Sequence, residues 1–199
     1  SYAQAVARAL QLPVVRVDVG ASAGAIFDLQ GTEAGWGTAS TGRLVRTIMA
    51  TRIVNPLLIV DEVSRAGAMQ ATSGQRLPGI VPILMSLLER SSAAEWICPY
   101  LKVPFDMTRI SAILTCNEID RIDQALLDRC TVIHIPPLSG DDLVAAAMRH
   151  AHGRLEHGAI CLLQDHLRRL IRGGARPSLR AVTRMIERAE AAAELPLLN

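Results

Sequence analysis

Leu57, Leu58, Ile59 and Val60 form an unbroken apolar run that passes directly into two acids, Asp61 and Glu62, within the stretch NPLLIVDEVSR at residues 55–65. A half-exposed strand alternates apolar and polar residues. Four apolar residues in succession describe instead a strand covered on both faces, the kind found in a parallel sheet. Open α/β sheets hold their ligands outside the carboxyl ends of their strands, so two acids at that end stand where such folds do chemistry. The chemistry that fits is nucleoside triphosphate hydrolysis. Asp61 would hold Mg²⁺ through water, and Glu62 would orient or polarise the attacking water.

The bulk of the sequence narrows the class further. With 199 residues, half of them hydrophobic, the chain can build one core or a core plus a small second domain. Its net charge of +2 comes without any Lys/Arg block, so no nucleic-acid partner is implied. Lys102 is the sole lysine. Cys98, Cys116, Cys130 and Cys161 show no CxxC pair or other metal-ligand spacing, and they read as buried small hydrophobes in a reducing compartment. His150, His152, His157 and His166 read as surface or capping groups. No stretch has the length of a membrane span and no basic-plus-apolar leader is present, so a cytoplasmic location is expected.

Taken in order, residues 1–10 read as an Ala-rich helix and 14–19 as a strand. Residues 20–42 are rich in Gly, Ala, Ser and Thr and hold one isolated aromatic, Trp36. A helix is expected over 44–50, broken by Asn55–Pro56 ahead of the central strand. Residues 65–79 read as a loop, 80–89 as a helix, and 96–105 as a hairpin turning near Pro99 and Tyr100. Further strands are expected at 110–115 and 131–135, with a short helix at 123–129 between them. Pro136 and Pro137 mark a boundary, beyond which only helices are expected, one capped at Ser139 and Asp142 and the last starting near Pro177. The expected architecture is an α/β core over 1–135 and a small all-helical lid over 136–199.

Three more polar residues occupy positions suited to a triphosphate. Asn117 ends the strand of ISAILTCN, where a neutral amide can hold the attacking water; a turn-forming asparagine would look the same. Arg129 closes a short helix, from which it can neutralise charge on a transferred phosphoryl group across a subunit boundary, or serve as an ion pair. Arg176 opens the last helix and reads either as a phosphate contact or as a solvated charge.

These segments, in this order, resemble the ATPase module of the AAA+ superfamily, and more closely its Lon-type branch. NPLLIVDEVSR is similar to the Walker B segment. YLKVPFDMTRISAILTCNEID, residues 100–120, resembles the hairpin and sensor-1 strand, which makes Asn117 sensor 1. IDQALLDRCTVIHIP, residues 122–136, resembles the arginine-finger segment, with Arg129 as the finger. GARPSLR, residues 174–180, resembles the start of the sensor-2 helix, with Arg176 as sensor 2. The resemblance implies ATP and Mg²⁺ as cofactors, with Asp61 as the metal-side acid and Arg176 as a nucleotide contact. It also implies a hexameric ring and an unfolded polypeptide substrate. Trp36 matches in position the aromatic that lines such a ring's pore, flanked by glycines that let its loop move. Met69 falls where a second pore loop would run.

One part of the pattern is absent. The phosphate loop GxxxxGK[ST] does not occur in these residues, and the first helix resembles the one that follows that loop. The resemblance therefore implies an AAA+ P-loop core whose first strand and P-loop are missing from this sequence. Without that loop the polypeptide is expected to bind ATP weakly or not at all and to be inactive alone. Without that strand, central in a five-stranded sheet, unpaired backbone groups at ~1–3 kcal/mol each are expected to prevent native folding. Two other readings follow from the same residues: a remodelling ATPase without proteolysis, and a non-hydrolysing assembly subunit that keeps only the fold.

Overall fold

The computed structural model describes residues 2–20, 24–35, 37, 39–66, 69–70, 76–77 and 79–194. Two compact units emerge, Ser1–Val132 and Ile133–Asn199. The first contains α1 (Tyr2–Ala9), β1 (Val14–Asp18), α2 (Ala25–Gln30), α3 (Arg43–Thr51), β2 (Leu57–Asp61), the short pair β3 (Met69–Gln70) and β4 (Arg76–Leu77), α4 (Val81–Leu88), α5 (Arg90–Ala94), the hairpin strands β5 (Trp96–Ile97) and β6 (Pro104–Phe105), β7 (Ser111–Leu114) and α6 (Gln124–Leu127). The second contains α7 (Gly140–Ala151), α8 (His157–Arg172) and α9 (Leu179–Glu194). The architecture is a parallel α/β core followed by helices.

The central sheet runs β1-β2-β7, all parallel. Its middle strand is the apolar run, and Leu57, Leu58, Ile59 and Val60 are each at most 2% exposed. Ala3 and Ala7 of α1 pack with Leu57 and Ile59 on one face. Leu58 and Val60 face the other way and join Val15, Val17, Leu29, Leu44, Val45 and Leu84 in the main core. Burial on both faces is what removes the need for alternation. In β1 the alternation persists, with Val15 and Val17 buried and Val14, Arg16 and Asp18 outward.

A helix not expected from the sequence lies within residues 20–42, where Ala25, Ile26 and Leu29 bury one face of α2. Small and polar neighbours dilute that three-residue stripe below what periodicity can show. Residues 131–135 do not form a strand. They run without regular structure and enter no ladder, leaving Ile133 and Ile135 72% and 73% exposed. Alternating apolar residues make a strand only where an adjacent strand takes up their backbone groups, and the described sheet ends at β7. The resemblance implies five strands; three are present in the described sheet.

The second unit holds together through Leu143, Val144, Ala147, Ala151, Leu167, Val182 and Ile186. Its first helix starts at a capping box. The Ser139 hydroxyl accepts from the Asp142 N–H at 3.0 Å, and the Asp142 carboxylate accepts from the Ser139 N–H at 3.3 Å. After the left-handed turn at Gly153, Arg154 donates Nε and Nη2 to the two carboxylate oxygens of Glu190 at 2.7 and 2.6 Å. Among the described residues, no helix is long and apolar enough to cross a membrane.

Candidate active site

Register brings the carboxyl ends of the strands together. Asp18 of β1 sits opposite Asp61 of β2, and the β2–β7 pairing runs up to Val60 opposite Leu114. The next residue, Thr115, continues the connection, its N–H donating to the Val60 carbonyl and its own carbonyl accepting from Val63 N–H. Asp61 and Glu62 thus emerge at an edge built from three parallel strands.

Asp61 is held at both oxygens. Nε and Nη2 of Arg16 each lie 2.6 Å from its Oδ2, and the Thr115 hydroxyl donates to Oδ1 at 3.0 Å. The side chain of Asp61 is 17% exposed, and a guanidinium and a hydroxyl stand where water would otherwise solvate it. The same Thr115 oxygen accepts from the Glu62 N–H at 3.4 Å. Thr115 therefore touches both acids.

Glu62 departs from the strand. Its φ of 58° and ψ of 43° place a non-glycine residue in the left-handed region, an uncommon conformation that concentrates at working sites. That turn re-aims the side chain away from the pleat, and its Oε2 meets Arg65 Nη1 at 3.1 Å. Gly20 lies alongside. A Cβ there would overlap Glu62 Oε2, with the Arg65 side chain close behind. Absence of a side chain at residue 20 leaves the space the Glu62 carboxylate occupies.

The remaining sequence-derived candidates are placed differently. Asn117 lies in a bend three residues past β7 and is exposed, at the same edge as the acids. Arg129 lies two residues past α6, where Nη1 donates to the Ala125 carbonyl at 2.7 Å and Nη2 pairs with Glu89 at 3.2 Å. It is thus engaged within its own unit rather than with Asp61 or Glu62. Arg176 belongs to the second unit; it does not open α9 but precedes it, exposed, in the stretch between α8 and α9. Met69 starts β3. Trp36 lies outside the described residues. The base of its loop is closed by a bridge between Gly31 and Thr41 and by the Thr32 N–H donating to the Ser40 carbonyl at 3.1 Å.

Residue-type reasoning missed Arg16, Thr115, Gly20 and Asp18. Arg16 left a trace, since a cation amid VVRVD on the strand beside an acid-ended strand invites a cross-strand pair. Thr115 and Gly20 left none that is visible without register. The cysteine reading needs correction too. Cys98 is buried, but Cys116 and Cys161 are exposed, and Cys161 Sγ lies 3.7 Å from His157 Nε2 one helical turn away, a thiol partner the spacing already offered. Burial alone pushes the Cys130 thiol up from its ordinary pKa.

The donor set suits a hard divalent cation. Two adjacent carboxylates emerge at the edge, and Arg16 already places positive charge against Asp61 Oδ2. Among the described residues no three acidic, histidine or cysteine side chains converge into a cage. A cation here would draw on one or two carboxylates and complete its shell with water and phosphate oxygens, the habit of Mg²⁺. The phosphate loop pattern is not among the residues of this sequence.

A family model described as ATPase family associated with various cellular activities matches residues 1–138. The chain is similar to the mitochondrial Lon protease homolog of Drosophila melanogaster, 30% identical over 184 residues covering 89% of this chain and 17% of that protein. It is 32% identical over 157 residues to the Lon protease of Nitrosococcus oceani, covering 77% of this chain and 19% of that protein. The chain therefore spans less than a fifth of the length of either relative. Among solved structures it is similar in fold to the S. cerevisiae Hsp104:casein complex in its extended conformation. The TM-score is 0.63 at 16% identity, over 94% of this chain and 36% of that one.

Proposed function

The chain belongs to the ATPase family associated with various cellular activities, as an AAA+ module related to the ATPase domains of Lon proteases, and from that premise we propose that it hydrolyses Mg-ATP to move polypeptide. The observation that carries this reading is the pair Asp61–Glu62 at the carboxyl end of the central buried strand, both in contact with Thr115 of the neighbouring segment.

Magnesium, when bound with a nucleotide, supplies charge neutralisation at the transferred phosphoryl group. Asp61, whose Oδ2 Arg16 now covers, would hold it. Glu62, turned out of the strand by its left-handed backbone, orients the attacking water and takes its proton. Asn117 at the same edge holds that water from the other side without adding negative charge. Arg129 acts in trans on a neighbouring subunit's nucleotide, and so must leave Glu89 to do so. Arg176 is assigned the role of a nucleotide contact. The phosphate loop pattern is not among these residues.

Motion reaches substrate through the segment between α2 and α3, which includes Trp36 in sequence and is closed at its base by the Gly31–Thr41 bridge, and through a second segment that includes Met69. The Drosophila and Nitrosococcus relatives are proteases by name, and the complex similar in fold holds casein. The substrate in this reading is an unfolded polypeptide and the assembly a homo-hexameric ring; proteolysis itself forms no part of the reading.

The test is Glu62→Gln in the intact polypeptide that contains this module. Nucleotide binding should persist while turnover falls ~10²–10⁴-fold, the contribution of a positioned general base. Turnover at the unmodified rate would remove Glu62 from the chemistry and, with it, the hydrolytic reading.

A further inference from the structure

The Arg16–Asp61 contact has a consequence for how a metal enters. We propose that Arg16 is a displaceable substitute for the cation, holding Asp61 in place while the metal is absent and setting the metal concentration at which the site fills. The inference rests on the reading of Asp61 as the metal-side acid.

Position comes first. Arg16 is the middle residue of β1, with Ile59 opposite it in register, and Asp18 two residues on faces Asp61. Side chains on a strand alternate, so Arg16 shares its face with Asp18, Ile59 and Asp61 rather than with Val15 and Val17, which are buried on the other face. Its backbone is anchored independently. Arg43 donates Nη1 to the Arg16 carbonyl at 2.7 Å while its Nη2 pairs with Asp28 at 3.0 Å. The side chain itself is 51% exposed and can leave without disturbing the strand.

Occupancy comes second. A carboxylate has about four lone-pair directions. Two guanidinium nitrogens fill one oxygen of Asp61 and the Thr115 hydroxyl takes one direction on the other. A hydrated divalent ion approaching the Oδ2 side of Asp61 meets a cation already seated at 2.6 Å, and like charges that close repel. Displacement moves the guanidinium into solvent, with Asp18 as a second carboxylate on the same face. Arg16 is in these terms a positioning residue. It keeps Asp61 aimed without metal, and it raises the metal concentration needed for loading.

The experiment measures Mn²⁺ binding, by the loss of the free-ion electron paramagnetic resonance signal, to the intact polypeptide in the presence of ADP. Arg16→Met should lower the Mn²⁺ concentration at half-saturation by up to about 5-fold, the scale for no longer having to break one half-exposed ion pair. Arg16→Gln, which keeps a donor but no charge, should tighten binding similarly and serves if Arg16→Met fails to fold by circular dichroism. Arg16→Lys should stay close to the unmodified protein. Unchanged or weaker Mn²⁺ binding in a folded neutral variant overturns the proposal. Asp61→Asn separates the two levels of inference. If it weakens Mn²⁺ binding while the neutral Arg16 variants change nothing, only the role of Arg16 fails. If it has no effect, the metal role of Asp61 fails and the proposal goes with it.

Discussion

Residues 57–60 and residues 131–135 carry comparable strand signals and end in opposite conditions. The first stretch lies between β1 and β7, each of its residues at most 2% exposed. The second enters no ladder and leaves its isoleucines more than 70% exposed. β-branched and apolar side chains are common to both, so intrinsic preference does not separate them. What separates them is company. Leu57–Asp61 has a strand on each side to satisfy its backbone and helices above and below to bury its side chains. A strand is thus a property of a site in a sheet, and sequence pattern is only its application for one.

The largest expected effect tests that contrast directly. Leu58→Ala should cost the first unit ~2–5 kcal/mol by leaving a cavity in the main core. Ile133→Ser in the same intact polypeptide should change stability by no more than about 0.5 kcal/mol, as for an exposed side chain away from special features. Urea denaturation of the two variants reads both numbers. A cost for Ile133→Ser comparable to that of Leu58→Ala would mean that the 131–135 stretch is buried after all, and the comparison would dissolve.

A smaller effect sharpens it at the chemical edge. Thr115→Val preserves shape but removes the hydroxyl that donates to Asp61 and accepts from Glu62 N–H. Leaving those partly buried groups short of a partner should cost ~1–3 kcal/mol, visible as faster hydrogen exchange at the β2 amides in the intact polypeptide. Equal exchange in Thr115→Val and the unmodified protein would show that the strands alone hold the acids. This residue also marks where sequence reading stops. The central strand, its two acids, the 96–105 hairpin, α1, α3, α4 and the helical second unit were legible, because each rests on a local period or a punctuating Pro or Gly. Arg16, Thr115 and Gly20 were not, because what each does depends on which residue lies across a strand boundary, and register is fixed by the whole sheet. The identity of Glu62 was legible; its left-handed backbone was not, since nothing in the residue type asks for it.

The smallest effect comes where order resumes after 131–138. Regular structure restarts at Ser139 by a local device, the reciprocal hydrogen bonds with Asp142, and needs no neighbouring strand. Ser139→Ala should destabilise the helical unit by ~1 kcal/mol at neutral pH, the usual cost of losing a serine cap. The pH dependence follows from the partner. The Ser139 hydroxyl, and then its N–H, hold the Asp142 carboxyl below its ordinary pKa. A group whose folded pKa is depressed stabilises fully above its unfolded pKa, near 3.9, and the contribution fades as pH falls through the lower folded value. The difference between unmodified and Ser139→Ala protein, followed by circular dichroism, should therefore be constant from pH 7 down to about pH 5 and narrow below pH 4. A difference that widens in acid would reverse the sign and show that the carboxyl bonds Ser139 in its protonated form. A constant one would assign the whole effect to the hydroxyl's acceptance of the Asp142 N–H, a bond that does not titrate.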